Sequence, residues 1–348
     1  MFVCFFDTGG AISNSISVHR ATLKSDLIQV FSSPDLMDVK VSVTVIDHQG
    51  RPELGDGQGV LRDVLASFWQ EVFSSLTQGD IEKVPSIRHD HQQQEWTAVG
   101  RVLLYGFRHL GYVPVCLSPV FLSSCIHGEE TITEDDLLES FKWYITSDER
   151  EVFEQCMTGQ PLDFGCNDDL MEFLSSYRCY KNPTAQTIRR ILTELAHQEL
   201  IQKPRYVATC WGPVLGVLKD HSNFANVEGI RKLFLNSKPT AKKVIKALHA
   251  NPTTDAERES LSFLKKFIKS LDAVSLKVFL KFLTGSDILV VNTISVTFTS
   301  LDGMARTPVA HTCGPSLELP STYQSYNELS EELTNILRDK ESWTFNIV

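Results

Sequence analysis

Thr307-Pro308-Val309-Ala310-His311-Thr312-Cys313, followed by Leu317, Leu319 and Pro320, is the stretch whose reading decides the rest. It joins two segments, 294–299 and 316–319, whose apolar residues alternate as they do in strands. The spacing predicts an irregular segment that presents a thiol beside an imidazole and a hydroxyl. Such a setting can expose a cysteine and favour its thiolate, which is the nucleophilic form. On chemistry alone the reading stays open, because a cysteine near a histidine is often buried filler.

The surroundings predict a small α+β unit. Leu264, Phe267, Ile268 and Leu271 recur at helical spacing, and Asp272 is placed to cap a second helix that stops at Gly285. Ser325-x-x-Glu328 reads as a capping box opening a last helix with Leu329, Leu333, Ile336 and Leu337 on one face. Upstream, Asn236, Ser237, Lys238 and Pro239 form the best linker candidate, with proline and small polar residues between periodic segments. Before the linker, 41–47 alternates like a strand and 60–76 carries an apolar helical stripe. Helices are also expected over 97–111, 117–126, 135–144, 148–157 and 184–201, the last halted before Pro204, with a Gly- and Asp-rich loop over 158–169.

Composition removes several function classes. The chain of 348 residues has a formal net charge of −10, which disfavours nucleic acid as a partner. Residues 238–348 hold 13 of the 33 basic and 12 of the 43 acidic residues, leaving 20 and 31 for the acidic first two thirds, which suits a basic protein partner. No membrane span is expected, since the apolar run 102–122 contains Arg108, His109, Pro114 and Pro119. The opening Met1-Phe2-Val3-Cys4-Phe5-Phe6 lacks the basic flank of a signal peptide. Eight scattered cysteines without a Cys-x-x-Cys pair favour reduced thiols and a cytoplasmic or nuclear setting.

The cysteine stretch resembles the active-site signature of HECT-type ubiquitin ligases, Leu-Pro-x-Ala-His-Thr-Cys followed by Leu-x-Leu-Pro. Cys313 lies 35 residues before Val348, and Phe345 matches the family's phenylalanine fourth from the end. Phe279-Leu280-Lys281-Phe282-Leu283-Thr284-Gly285-Ser286 is similar to the family's Phe-Leu-x-Phe-x-Thr-Gly-Ser helix end. Val18-His19-Arg20 with Asp26, the strand over 41–47, and Gly59-Val60-x-Arg62 resemble the opening of its larger lobe. Thr307 stands where the family usually has leucine, Gly314 replaces a bulky residue, and the region between Thr158 and Thr184 is short for the family's hairpin.

The resemblance implies an α+β, bilobal fold. A mainly helical N-terminal lobe would span 1–235 and dock a ubiquitin-conjugating enzyme through a small subdomain at about 125–200. A flexible hinge over 236–240 would lead to a smaller α+β C-terminal lobe at 241–348. It further implies that Cys313 accepts ubiquitin as a thioester and passes it to lysines of protein substrates. His311 and Thr312 would shape and polarise the loop, and Phe345 would serve the second step. Neither cofactor nor metal is implied. Phe141, Trp143, Tyr144 and Phe153 either line the conjugating-enzyme groove or pack into the core.

Other readings are weaker. Gly55-Asp56-Gly57-Gln58-Gly59 has G-x-G-x-G spacing, so the flexible start of a helix is the better reading than a dinucleotide loop. His89-Asp90-His91 reads as a solvated loop before it reads as a metal site. Lys242, Lys243, Lys246, Lys265, Lys266 and Lys269 read as solvated helix faces. The alternative to a ligase is a degenerate ligase fold kept as a protein-binding scaffold. An unrelated cysteine hydrolase is a third, with no second histidine and Asn/Asp partner in view.

Overall fold

Ile16 and Val18 alternate with polar neighbours, and Asn14–His19 forms a strand, β1. It pairs in parallel with the strand expected at 41–47, observed as β2, Val41–Ile46. The helix α1, Leu23–Val30, connects them. The apolar stripe predicted over 60–76 becomes α2, Gln58–Ser75, which buries Val60, Leu61, Val64, Leu65, Phe68, Trp69 and Val72. The computed structural model describes residues 14–53, 55, 57–158 and 168–339. Described residues within Met1–Gln70, Tyr105–Val115 and Leu235–Val348 form one unit, and those within Glu71–Leu104 and Cys116–Phe234 form another.

The second unit is mainly helical. After a short ladder of β3, Thr77–Gln78, and β4, Val84–Pro85, come α3, Gln93–Leu110, and α4, Pro119–His127. Ser118 caps α4 and Pro119 occupies its first turn, so this helix starts two residues later than the periodicity suggests. Capping boxes from Thr133 and Thr146 fix the starts of α5, Glu134–Tyr144, and α6, Ser147–Met157. Then follow α7, Asp168–Ser176, α8, Ile188–His197, α9, Arg205–Leu215, and α10, Val227–Ser237. The helix expected over 184–201 begins later because Thr184 and Thr187 close a turn on each other. It ends as a wide turn over Gln198–Gln202, where Lys203 N–H reaches Gln198 O ahead of Pro204. Among the described residues of 125–200, every regular element is helical.

Residues past 240 build the α+β unit the pattern predicts. Thr240 caps α11, Ala241–Ala247, which runs into β5, Leu248–Ala250. Asp272 caps α13, Ala273–Thr284, after α12, Asp255–Ser270, and Gly285 ends α13 in the left-handed region at φ 76°. The strands β6, Ile294–Thr299, β7, Val309–His311, and β8, Ser316–Pro320, join β5 in a sheet of order β5-β6-β8-β7. Ser325 caps α14, Tyr326–Arg338, although the returning Glu328 carboxylate takes the Gln324 N–H. Leu264, Phe267, Phe279, Leu283, Ile294, Leu317, Leu319, Leu329 and Leu333 share one core drawn from this segment alone.

The linker differs from expectation. Asn236 and Ser237 are the last residues of α10, leaving Lys238 and Pro239 as the break. Ser237 is buried, and its carbonyl accepts Leu289 N–H at 2.8 Å. Lys243 Nζ donates to the carbonyls of Leu235, Asn236 and Lys238 at 2.6, 3.1 and 3.0 Å, satisfying orphan acceptors of the helix end. Of the expected linker, Lys238 and Pro239 are the residues left outside the helix.

A buried ionic cluster ties the first strand region to two helices. Asp63 of α2 meets Arg20 at 2.5 Å and Lys281 of α13 at 2.9 Å, while Arg20 grips Glu53 through two bonds of 2.8 and 2.9 Å. Burial alone would raise the Asp63 carboxyl, but Lys281 and Arg20 outweigh it and hold it below its ordinary 3.8. A folded-state value below the unfolded one gives stability that is full well above pH 3.8 and is lost as the pH falls through the lower value. Asp63→Asn should therefore cost on the order of 3 kcal/mol at neutral pH, because Lys281 loses its carboxylate partner and Arg20 loses one of its two in a largely buried place. Urea unfolding at several pH values checks this: the gap between variant and parent must narrow on acidification. An equal loss at pH 7 and pH 3 would show that the charge is not the cause.

Candidate active site

Cys313 lies at the tip of a β-hairpin. β7 and β8 pair antiparallel, with Val309 opposite Glu318, Ala310 opposite Leu317 and His311 opposite Ser316. Thr312, Cys313, Gly314 and Pro315 make the turn between them. The segment expected to be irregular up to Cys313 is thus a strand as far as His311; three residues are too short a run to show alternation. Cys313 is exposed and in no disulfide. His311 Nε2 lies 2.9 Å from Glu318 Oε1 on the exposed face of the hairpin. The imidazole is therefore engaged by a carboxylate two residues further along the partner strand.

The turn rests on the start of α2. Gly59 has no side chain where Thr312 passes: a Cβ there would stand 2.6 Å from the Thr312 carbonyl carbon and overlap its Oγ1. At Gly57, φ is 86°, and a Cβ would come within 3.5 Å of Cys313 Sγ. Gly285 completes the fit, since a Cβ on it would collide with Gly59 O. Of the stretch 55–59, Gly57 and Gly59 thus face the cysteine turn. Gly59 makes room for the Thr312 backbone, and Gly57 lies beside the Cys313 side chain.

Arg62 fastens this arrangement. It is 4% exposed, and its Nε donates to Thr284 O at 2.7 Å while Nη2 donates to Thr312 O. One planar side chain thus joins the end of α13 to the residue preceding the cysteine. Burial pulls the Arg62 guanidinium below its ordinary value, and its electrostatic interaction with Cys313 offsets part of that pull. Sequence reasoning noted Arg62 only within the family likeness. The available signal was its spacing from Gly59, three residues, which sets both on one helix face.

The remaining candidates scatter. Phe345 lies outside the described residues. Phe141, Tyr144 and Phe153 are 0%, 6% and 3% exposed, so they are core residues of the helical unit. Phe141 packs against Phe153 and Tyr144, and Tyr144 Oη donates to buried Glu199 at 3.1 Å. Trp143 alone is half-buried; its Nε1 donates to Glu139, and Lys142 and Arg150 lie over its ring. Among the described residues no group of three or more His, Cys, Asp or Glu side chains could hold a metal ion. None of the described helices is long and apolar enough to cross a membrane.

Against this geometry, the family model described as HECT-domain (ubiquitin-transferase) matches residues 222–346. This match covers somewhat over a third of the chain, includes the cysteine stretch, and supports a HECT-type ubiquitin ligase domain there. No curated protein matches the chain.

The packing gives a direct test. Gly59→Ala forces a methyl group into the Thr312 backbone, and overpacking of this kind costs about 1–3 kcal/mol. Thermal unfolding should show a lowered midpoint, whereas Gly314→Ala, with open space around its Cβ, should leave it nearly unchanged. Equal midpoints for the two variants would mean the turn does not rest on α2.

Proposed function

We propose that this chain is a ubiquitin-protein ligase that carries ubiquitin as a thioester on Cys313. The observation that carries the reading is an exposed cysteine at a hairpin tip, inside the segment with HECT-domain sequence. A conjugating enzyme presents ubiquitin as a thioester, and the Cys313 thiolate attacks its carbonyl. One C–S bond forms and another breaks, so the exchange is nearly isoenergetic and depends on positioning and thiolate fraction. A substrate lysine then attacks the new thioester. The C–N bond forms, the C–S bond breaks, the electron pair returns to sulfur, and the amine proton passes to water.

Two lobes suit this sequence, because donor and acceptor approach the same cysteine in turn. The segment beyond Pro239, with its own core, is the proposed mobile lobe, and Lys238 and Pro239 are the proposed pivot. Docking of the conjugating enzyme is assigned to the helical region 125–200, at Trp143 in preference to its buried neighbours. His311 and Thr312 act as shapers of the turn. The compartment proposed is cytoplasm or nucleus.

Incubation with activating enzyme, a panel of conjugating enzymes and ubiquitin, read on a non-reducing gel, tests the reading. A reductant-sensitive adduct should form; Cys313→Ala should abolish it, and Cys313→Ser should give a reductant-resistant oxyester or nothing. A thiol-labile adduct on Cys313→Ala would refute the site. No adduct with any conjugating enzyme would favour the scaffold reading.

A second prediction separates the two steps at Phe345. Preloaded protein, once fresh loading is quenched, should discharge to lysine at least about ten-fold more slowly in Phe345→Ala, with loading largely intact. Equal losses in both steps with a lowered melting temperature would make Phe345 a packing residue. Unchanged discharge would remove it from the site.

A further inference from the structure

We propose that Arg62 is a positioning residue for lysine transfer, holding the Cys313 turn on the start of α2 with the sulfur open to an incoming amine. The inference rests on the Cys313 thioester reading and adds a residue to it. Three observations converge. Arg62 bridges Thr284 O and Thr312 O, and only the second of these carbonyls belongs to the cysteine turn. The contact pins Thr312 beneath Gly59 yet leaves Cys313 exposed, so the seated turn presents its thiol and does not bury it. Gly57 keeps the space beside Sγ free of any side chain.

The charge argues for the second step over the first. In discharge, the amine nitrogen bonds to the thioester carbon, the C–S bond breaks, and negative charge grows on the Cys313 sulfur. The amine proton goes to water. A fixed guanidinium near that sulfur stabilises charge as it develops, at no reorganisation cost. Loading runs the other way, since the thiolate gives up its charge to the incoming carbonyl. The electrostatic coupling of Arg62 to Cys313 agrees with this placement.

Arg62→Gln removes the charge and one arm of the bridge; Arg62→Lys keeps the charge but cannot span both carbonyls. Gly59→Ala displaces the turn while leaving Arg62 in place, so it serves if loss of a buried guanidinium unfolds the protein. Each is preloaded with ubiquitin, fresh loading is quenched, and decay of the thioester onto added lysine is followed.

Relative to its own change in loading, Arg62→Gln should discharge about ten-fold more slowly, with Arg62→Lys in between and Gly59→Ala resembling Arg62→Gln. Discharge as fast as the parent's in folded Arg62→Gln or Gly59→Ala would overturn the proposal, and faster discharge would make the seat a parking site. Amide NMR separates this from failure of the thioester reading. The Thr312, Cys313 and Gly314 resonances should move in Arg62→Gln whether or not ubiquitin loads. Unmoved resonances would show that Arg62 positions nothing. A parent that never loads, with moved resonances, would overturn the thioester reading and the transfer role together, leaving a purely structural clamp.

Discussion

Arg62 is buried on a helix, and a buried guanidinium must find acceptors for its donors or lose several kcal/mol on the order of an unpaired charge. It finds two backbone carbonyls, those of Thr284 and Thr312, that belong to segments more than 200 residues further along the chain. Thr284 ends the helix α13 and Thr312 directly follows the strand β7, places where main-chain acceptors are left over. The geometry of the cysteine turn follows from this meeting. Thr312 is held from one side by Arg62 and from the other by the absence of a side chain on Gly59. The next residue, Cys313, is left projecting.

Around this point the sequence supplies matching devices. Gly285 serves at once as the left-handed stop of α13 and as the place where the Gly59 carbonyl comes close. Lys281, one turn earlier on α13, reaches Asp63, the neighbour of Arg62 on α2, and also Ser67, and so the same pair of helices is joined three times. Asp63 in turn holds Arg20, which holds Glu53. Asp63 and Arg20 each have two partners, so removing Asp63 weakens both ends of the cluster at once. The chain of contacts thus ties the glycine-bearing start of α2 to the strand β1 and to the cysteine hairpin.

Much of this was legible, and the illegible part has physical causes. Asp272 and Gly285 bound α13 as local capping chemistry requires, and the apolar stripe over 60–76 placed α2 within two residues. Such signals are local, and they survive folding. The strand β7 was not legible because it is three residues long and owes its existence to pairing with Leu317 and Glu318. The end of α10 was not legible because Asn236 and Ser237 look solvent-seeking, whereas Lys243 and Leu289 satisfy their carbonyls within the helix end. The aromatics 141, 144 and 153 could not be divided between groove and core by spacing alone. Cys313 was found through its neighbours in sequence, but Arg62 is its neighbour only in space, and no spacing rule joins residues 62 and 313.

The seat of the cysteine turn on α2 is the claim on which the account depends, and proximity of Gly57 to Cys313 tests it most directly. A Cβ at Gly57 would lie 3.9 Å from the Cys313 Cβ, inside the span of about 3.5–4.5 Å that a disulfide needs. Gly57→Cys, gently oxidised and mapped by mass spectrometry of non-reduced peptides, should therefore show position 57 linked to Cys313 within the same chain, released by reductant. A folded variant whose Cys313 stays fully open to alkylation after oxidation would contradict the seat and the role built on it.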